Sequence, residues 1–217
     1  MSGRSPRIIS VKLPTRIGSL AVGGTIKLNE SGSPVEFYIS AQNYEPELNG
    51  AGRTLLVRKD TCQDRMHFSE TDNAYAGATL DTWFNETFLL RLDADIQAKI
   101  PTTKFFYTPG NGDKTVTTLE RKIFALSGTE YGESASSIMN VEGAELPIAA
   151  AIKKAYFNGS AVNHWTRTPN IYNKTRAYYI DTTGALKGNY NAYSYNYYAR
   201  PAFALPSDFI VTDDMLA

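Results

Sequence analysis

Two histidines and a single cysteine bound the chemistry open to this chain. Cys62 and His67, with Asp64 between them, are the residue types of a thiol nucleophile and its base. They carry none of the local context of papain-like or caspase-like sites, and Asp64 is too close in sequence to orient the imidazole by rule. His164 lies far along the chain beside Trp165 and reads as a structural or surface histidine. No HExxH or CxxC spacing offers zinc a ligand set. Nucleophile-elbow, P-loop and dinucleotide fingerprints are absent, and Gly110-Asn111-Gly112 reads as a turn. Glu45-Pro46-Glu47 brings two carboxylates together, but nothing nearby completes the shell of roughly 6 to 8 oxygens that calcium takes. Asn111 and Asp113 resemble part of a cation loop without its later carboxylate. The expectation is therefore no catalytic residue, no metal and no cofactor.

What stands out instead is a composition. Eight of the fourteen tyrosines fall between Tyr172 and Tyr198, interleaved with Asn170, Asn173, Asn189, Asn191 and Asn196. Tyrosine offers a large amphipathic contact area at the entropic cost of two torsions, and asparagine adds adaptable hydrogen bonding. A buried strand would lean on Val, Ile and Leu. Edge strands with aromatic cross-strand pairs are the competing explanation. Against it, both faces of Asn189 to Tyr198 are polar-capable.

Other elements have to position this run. Short strands are expected at Thr25–Leu28, Val35–Ser40 and Thr54–Arg58, separated by Asn/Gly-rich turns. Leu80, Trp83, Phe84 and Phe88 have helical spacing from Thr79, with Trp83 as the plug of an apolar face. A second helix starts at Asp93 and stops at Pro101. Lys104–Thr108 reads as a strand, Ile123–Leu126 as the most buried run, and Gly128–Gly143 as a polar surface loop. A helix is expected over Leu146–Phe157, with Gly159 just past its end. Asp181-Thr182-Thr183-Gly184 marks a hairpin between Ala177–Ile180 and Ala185–Lys187. Residues 1–20 read either as a frayed tail or as an arm that docks on a neighbour, with Ile9, Val11 and Leu13 alternating as one edge strand would.

Lys plus Arg and Asp plus Glu balance at 22 each, so no long-range field draws the chain to nucleic acid or an anionic membrane. With Cys62 alone, no intrachain disulfide is possible. The first twenty residues do not form a secretory signal and no stretch approaches a membrane span, so no membrane insertion is expected. Four Asn-x-Ser/Thr triplets, at Asn29, Asn85, Asn158 and Asn173, are read as chance.

Several motifs together carry a resemblance: GRTLLVRKD at Gly52–Asp60, ATLDTWFN at Ala78–Asn85, KFFYTPGNG at Lys104–Gly112, FALS at Phe124–Ser127, ELPIA at Glu145–Ala149, WTRTP at Trp165–Pro169 and ARPAFALPS at Ala199–Ser207. In this order they resemble a phage-encoded domain of C-type-lectin-like fold. The outline is similar to formylglycine-generating enzymes and to the variable proteins of diversity-generating retroelements. In the latter, the stretch before the terminal strand is the ligand surface. The calcium-site triplets of sugar-binding C-type lectins are absent. Formylglycine-generating chemistry needs a cysteine pair, and Cys62 stands alone.

The resemblance and composition together imply an arm at residues 1–20 followed by one α+β domain at residues 21–217. Its expected form is a C-type-lectin-like fold with mixed antiparallel sheets, two to three helices and long loops. The function implied is ligand binding without catalysis, at a phage tail-fibre tip or as a variable binding protein, made in the host cytoplasm and carried on the virion. Its partners would be a bacterial surface protein or glycan, other virion proteins through residues 1–20, and further copies of itself. Tyr172, Tyr178, Tyr190, Tyr193, Tyr195, Tyr197 and Tyr198 would be anchors, and Asn173, Asn189, Asn191 and Asn196 would supply hydrogen bonds. Arg167 and Arg200, each beside a proline, and Trp165 would be scaffold. The alternative is a structural virion component whose tyrosines pack on neighbouring subunits.

Overall fold

The computed structural model describes residues 13–216. Ile9 and Val11, two of the three residues of the expected edge-strand pattern, lie outside the described residues. The chain order is β1 (Thr15–Arg16), β2 (Thr25–Glu30), β3 (Ser33–Gln42), the helical turn α1 (Pro46–Asn49), β4 (Arg53–Arg58), β5 (Arg65–Met66), α2 (Thr79–Trp83) and α3 (Ala94–Lys99). Then come β6 (Thr103–Tyr107), β7 (Thr117–Arg121), α4 (Ala149–Ile152), β8 (Ala155–Phe157), β9 (Ser160–Val162), β10 (His164–Pro169), β11 (Arg176–Ile180), β12 (Leu186–Asn191), β13 (Tyr197–Tyr198), β14 (Ala202–Pro206) and β15 (Ile210–Val211). The class is α+β with mostly antiparallel sheets. Among the described residues there are four short α-helices where two to three were expected, the addition being α1.

Two sheets organise the chain. A four-stranded sheet runs β14-β4-β3-β2, and a five-stranded sheet runs β12-β11-β10-β13-β5. All neighbours pair antiparallel except β10 with β13. Alternating side chains put Ile26, Leu28, Phe37, Ile39, Leu55 and Val57 into one continuous core. That core runs on through Phe84, Phe105, Phe124 and Trp165. Residues 15–19 belong to the same body: β1 pairs with β15, Ile17 is fully buried, and its N–H donates to Phe209 O at 2.9 Å.

The Thr79 helix begins where the apolar spacing places it, but its α-helical part ends at Trp83 and a π-helical turn carries it through Phe88. Trp83 is half-buried against Phe84 and Phe88, with the Arg91 guanidinium 4.9 Å from its ring centroid. Asp81 anchors this segment from inside. It takes a two-pronged contact from Arg121, with Nε to Oδ1 and Nη2 to Oδ2 both at 2.8 Å, while the Gly77 N–H donates to Oδ2.

Two expectations are corrected. The helix over Leu146–Phe157 shrinks to Ala149–Ile152, and Ala155–Phe157 becomes β8, paired with β9. Asn158 and Gly159 have φ of +49° and +76°, the two positive values of a tight hairpin turn, so Gly159 closes a hairpin and does not end a helix. Gly128–Gly143 is no surface loop throughout. Ser134–Ser137 are exposed, but Glu130 and Glu142 are completely buried and Tyr131 and Met139 nearly so.

Replacing Asp81 with Ala leaves Arg121 and the Gly77 N–H without their acceptor. Because Arg121 keeps some contact with water, the expected cost is roughly 2 to 3 kcal/mol, at the lower end for a broken buried pair. A shift of the urea unfolding midpoint with unchanged slope checks it.

Candidate surface site

The run from Asn170 to Tyr198 is built on β10, whose six residues are all buried. Trp165 and Tyr179 are cross-strand partners, and Tyr190 and Tyr197 arrive from β12 and β13 on either side. The four rings pack into one aromatic ridge, with Tyr197 at 4.3 Å from Tyr179, 4.4 Å from Tyr190 and 4.8 Å from Trp165, centroid to centroid. The Trp165 indole N–H donates to Met66 O at 2.9 Å. Burial, followed by the neighbouring Tyr179 hydroxyl, pushes the Tyr197 phenol far above its ordinary value. Asn196 donates to the Tyr190 hydroxyl at 3.0 Å, tying the loop back to the ridge.

The expected anchors separate into two groups. Tyr178, Tyr197 and Tyr198 are 5, 5 and 6 % exposed, so their rings serve packing. Tyr198 stacks on Phe157 and takes the Arg65 guanidinium 5.0 Å from its centroid. Tyr172, Tyr193 and Tyr195 are 69, 36 and 61 % exposed, and Tyr190 is half-buried. Along β12 burial alternates, Leu186, Gly188 and Tyr190 turning inward while Lys187, Asn189 and Asn191 face solvent. The two faces are therefore unlike, in contrast to the two polar-capable faces expected from composition. His67 joins the exposed group, its ring 5.1 Å from Tyr195 and its Nδ1 against Tyr193 O. Asn173 accepts from the Thr175 N–H at 3.0 Å, and Asn191 accepts from the Tyr193 N–H at 3.2 Å.

Asn73 was missed in the sequence. Completely buried, its amide donates to the carbonyls of Asn170, Asn173 and Arg176 at 2.8, 3.0 and 2.8 Å, and its Oδ1 accepts from the Asn111 N–H at 2.7 Å. One side chain thus fixes both the 170–176 loop and the 110–113 turn. No local motif marks it, since its carbonyl acceptors are 97 to 103 residues away.

Behind β10 lies a buried ionic cluster. Arg167 donates from Nη1 to Glu130 Oε2 at 2.6 Å and to Ala125 O at 2.9 Å, and from Nε to Phe106 O at 3.0 Å. Glu130 also accepts from the Ser127 N–H at 2.7 Å and from the Tyr44 hydroxyl. Glu142 accepts from the Thr108 N–H at 2.8 Å and from the Thr168 hydroxyl. Burial pushes the Glu142 carboxyl up despite Arg167, and burial and the Glu130 charge push Glu45 up. Arg200 similarly spends its donors on carbonyls, with Nε to Arg58 O and Nη2 to Lys59 O both at 2.9 Å.

The remaining chemical candidates are committed elsewhere. Cys62 is fully buried and burial drives its thiol up, the opposite of an activated nucleophile. His164 is buried beside the Tyr131 hydroxyl at 3.2 Å, and burial, followed by the Arg200 charge, holds its pKa well below the ordinary value. Among the described residues no group of three or more His, Cys, Asp and Glu side chains is placed to hold a metal ion. Nor, among them, is any helix long and apolar enough to cross a membrane. A cleft of about 640 Å³ between β3, β4 and β8 is lined by charges already paired, Arg58 with Glu30 at 2.8 Å and Lys59 with Glu36 at 2.7 Å.

Two tests follow from this geometry. Asn73→Ala removes the donor shared by the Asn170, Asn173 and Arg176 carbonyls and leaves the latter two only the loop's own N–H bonds, so the 170–176 loop is expected to open locally and trypsin to cut after Lys174 or Arg176 at least tenfold faster. The second test concerns pH. Glu142 has a folded pKa above its unfolded value, so the folded state holds the extra proton between 4.5 and that raised value. Its contribution is fully present below this window and is lost as pH rises through it. Glu142→Gln is expected to flatten that fall in melting temperature, read as the difference from the parent chain across pH 4 to 8. His164, with a lowered pKa, titrates in the opposite sense and cancels in that difference.

Residues 51–207 match the family model described as a domain of unknown function (DUF6273). No curated protein and no solved structure matches the chain. The matched span holds Asn73, Asp81, Glu130, Glu142, Arg167, the aromatic ridge and the whole Tyr/Asn run, with Tyr44 and Glu45 of the buried cluster outside it. The chain belongs to the DUF6273 domain family.

Proposed function

We propose that this chain is a binding module that presents the exposed part of the Tyr/Asn run to a bacterial surface receptor, with no reaction of its own. The observation that carries this reading is the division of one segment by exposure. Tyr197, Tyr198 and Trp165 are sunk in the domain, whereas Tyr172, Tyr193, Tyr195, Asn189, Asn191 and Asn196 stand out from it. Exposed large aromatics held by a rigid base match the side chains that dominate interface energetics. The surrounding amides are short, so they add hydrogen bonds at little entropic cost.

The C-type-lectin-like assignment and the setting on a phage virion belong to the same proposal. They are supported by the motif order in the sequence and, among the described residues, by the pairing of the first strand with the last, β1 with β15, around long loops. Many copies on one particle would make modest affinity per site sufficient. Interface tyrosines contribute on the order of 1 to 2 kcal/mol each when central.

Because Tyr172, Tyr193 and Tyr195 are exposed, converting all three to Ala should leave the melting temperature within about 2 °C. Host adsorption of particles carrying the variant should fall at least tenfold while assembly stays intact. Failure of assembly would assign the surface to neighbouring subunits instead, and unchanged adsorption with unchanged assembly would remove the binding reading.

A further inference from the structure

We infer that the loops at residues 110–114 and 172–176 form a subsite for an anionic group, and that the ligand of the Tyr/Asn surface is an acidic saccharide. This rests on the binding reading above and gives it a chemical class.

Three cations meet on these loops. The Lys114 ammonium lies 3.6 Å from the centroid of the exposed Tyr172 ring. Lys174 crosses to the other loop, where a Cβ added at Gly112 would fall 2.8 Å from its Cε. Arg176 closes the second loop, its backbone N–H donating to Asn173 O at 3.1 Å. Lys114, Lys174 and Arg176 are all exposed, and among the described residues none forms a salt bridge. The acid within the two loops, Asp113, accepts from the Thr115 N–H at 2.8 Å and keeps its charge, so the loops set three cations against one carboxylate. Elsewhere the strongly held cations Arg58, Arg91, Arg121 and Arg167 each have a carboxylate partner. Net neutrality of the whole chain thus coexists with a local excess of positive charge.

That excess is anchored and not merely scattered. Asn73 holds the backbones of both loops, so the points from which the three cations extend are set before a ligand arrives, which lowers the ordering cost of binding. The guanidinium offers a planar fork to a carboxylate or phosphodiester, and the ammonium groups add point charge.

The neighbouring surface argues for a saccharide. Arg176 is the cross-strand partner of Asn191, and the Ala192 N–H donates to Thr175 O at 2.8 Å. The loop bearing Tyr193 and Tyr195 therefore starts beside the cations. Tyrosine faces and amide groups suit sugar rings and hydroxyls.

The test compares immobilised polygalacturonate (carboxylate), poly(glycerol phosphate) (phosphodiester), dextran (neutral) and polyglutamate (an acidic peptide). The folded chain should be retained on polygalacturonate more strongly than on the other three, with affinity falling at least tenfold between 50 and 300 mM NaCl. Combined Lys114→Gln, Lys174→Gln and Arg176→Gln should lose at least tenfold without a change in melting temperature. Combined Arg16→Gln, Lys99→Gln and Lys154→Gln, which removes equal charge elsewhere, should lose little. Equal loss in both sets, equal or stronger retention on poly(glycerol phosphate), dextran or polyglutamate, or retention on none of the four overturns the inference. Host adsorption separates the two claims. Full adsorption by the Lys114/Lys174/Arg176 variant, with adsorption lost in the tyrosine variant, removes the anionic subsite and leaves receptor binding standing.

Discussion

The Arg167–Glu130 pair is the contact on which the rest of the molecule depends. Both groups are completely out of water, where an unpartnered charge is prohibitive, so every element that meets them is obliged to supply a hydrogen bond. The carbonyls of Ala125 and Phe106, the Ser127 N–H and the Tyr44 hydroxyl are drawn in from three separate segments. The arginine plane also lies 4.7 Å from the Phe105 centroid, which joins the ionic cluster to the aromatic core. β10 cannot shift without breaking this set. The surface strands β11 and β12, which hang on β10, inherit its fixed position.

Rigidity is thereby delivered to one side of the molecule. Polar clusters of this kind are demanding, since each member must be satisfied at once, but they specify a single arrangement more sharply than an apolar core of equal volume. In this chain the Arg167 cluster fixes the strand, the aromatic ridge fixes the hairpin, and Asn73 fixes the loops beside it. The exposed tyrosines need no packing role of their own. That frees them for contact with something else.

Much of this was legible locally. The β2–β3–β4 meander and the β11–β12 hairpin follow from alternation and turn residues a few positions apart, and the helix at Thr79 follows from four apolar residues at helical spacing. The polar cluster was not legible. Glu130 and Glu142 sit in a Ser-rich stretch that looks solvated, and only Arg167 and Thr168, 37 and 26 residues on, make their burial possible. Ile148, Ala151, Ile152 and Ala155 fit a helix equally well, until the Asn158-Gly159 turn claims the end of that segment for a hairpin. The tyrosines were recognised as a group, but composition cannot say which of them turn inward. Charge totals hid the cations at Lys114, Lys174 and Arg176 for the same reason: a sum over the chain carries no position.

The aromatic ridge has an optical consequence. Trp165 is buried and dry, its indole held by Met66, and three tyrosines stand within 6.3 Å of its ring. At such separations excitation absorbed by the phenols passes to the indole. Trp83, half-exposed under a guanidinium, sits in a different dielectric and emits at longer wavelength. The protein therefore carries its own fluorophore beneath the hairpin, a blue-shifted reporter whose intensity depends on how Tyr179, Tyr190 and Tyr197 are stacked.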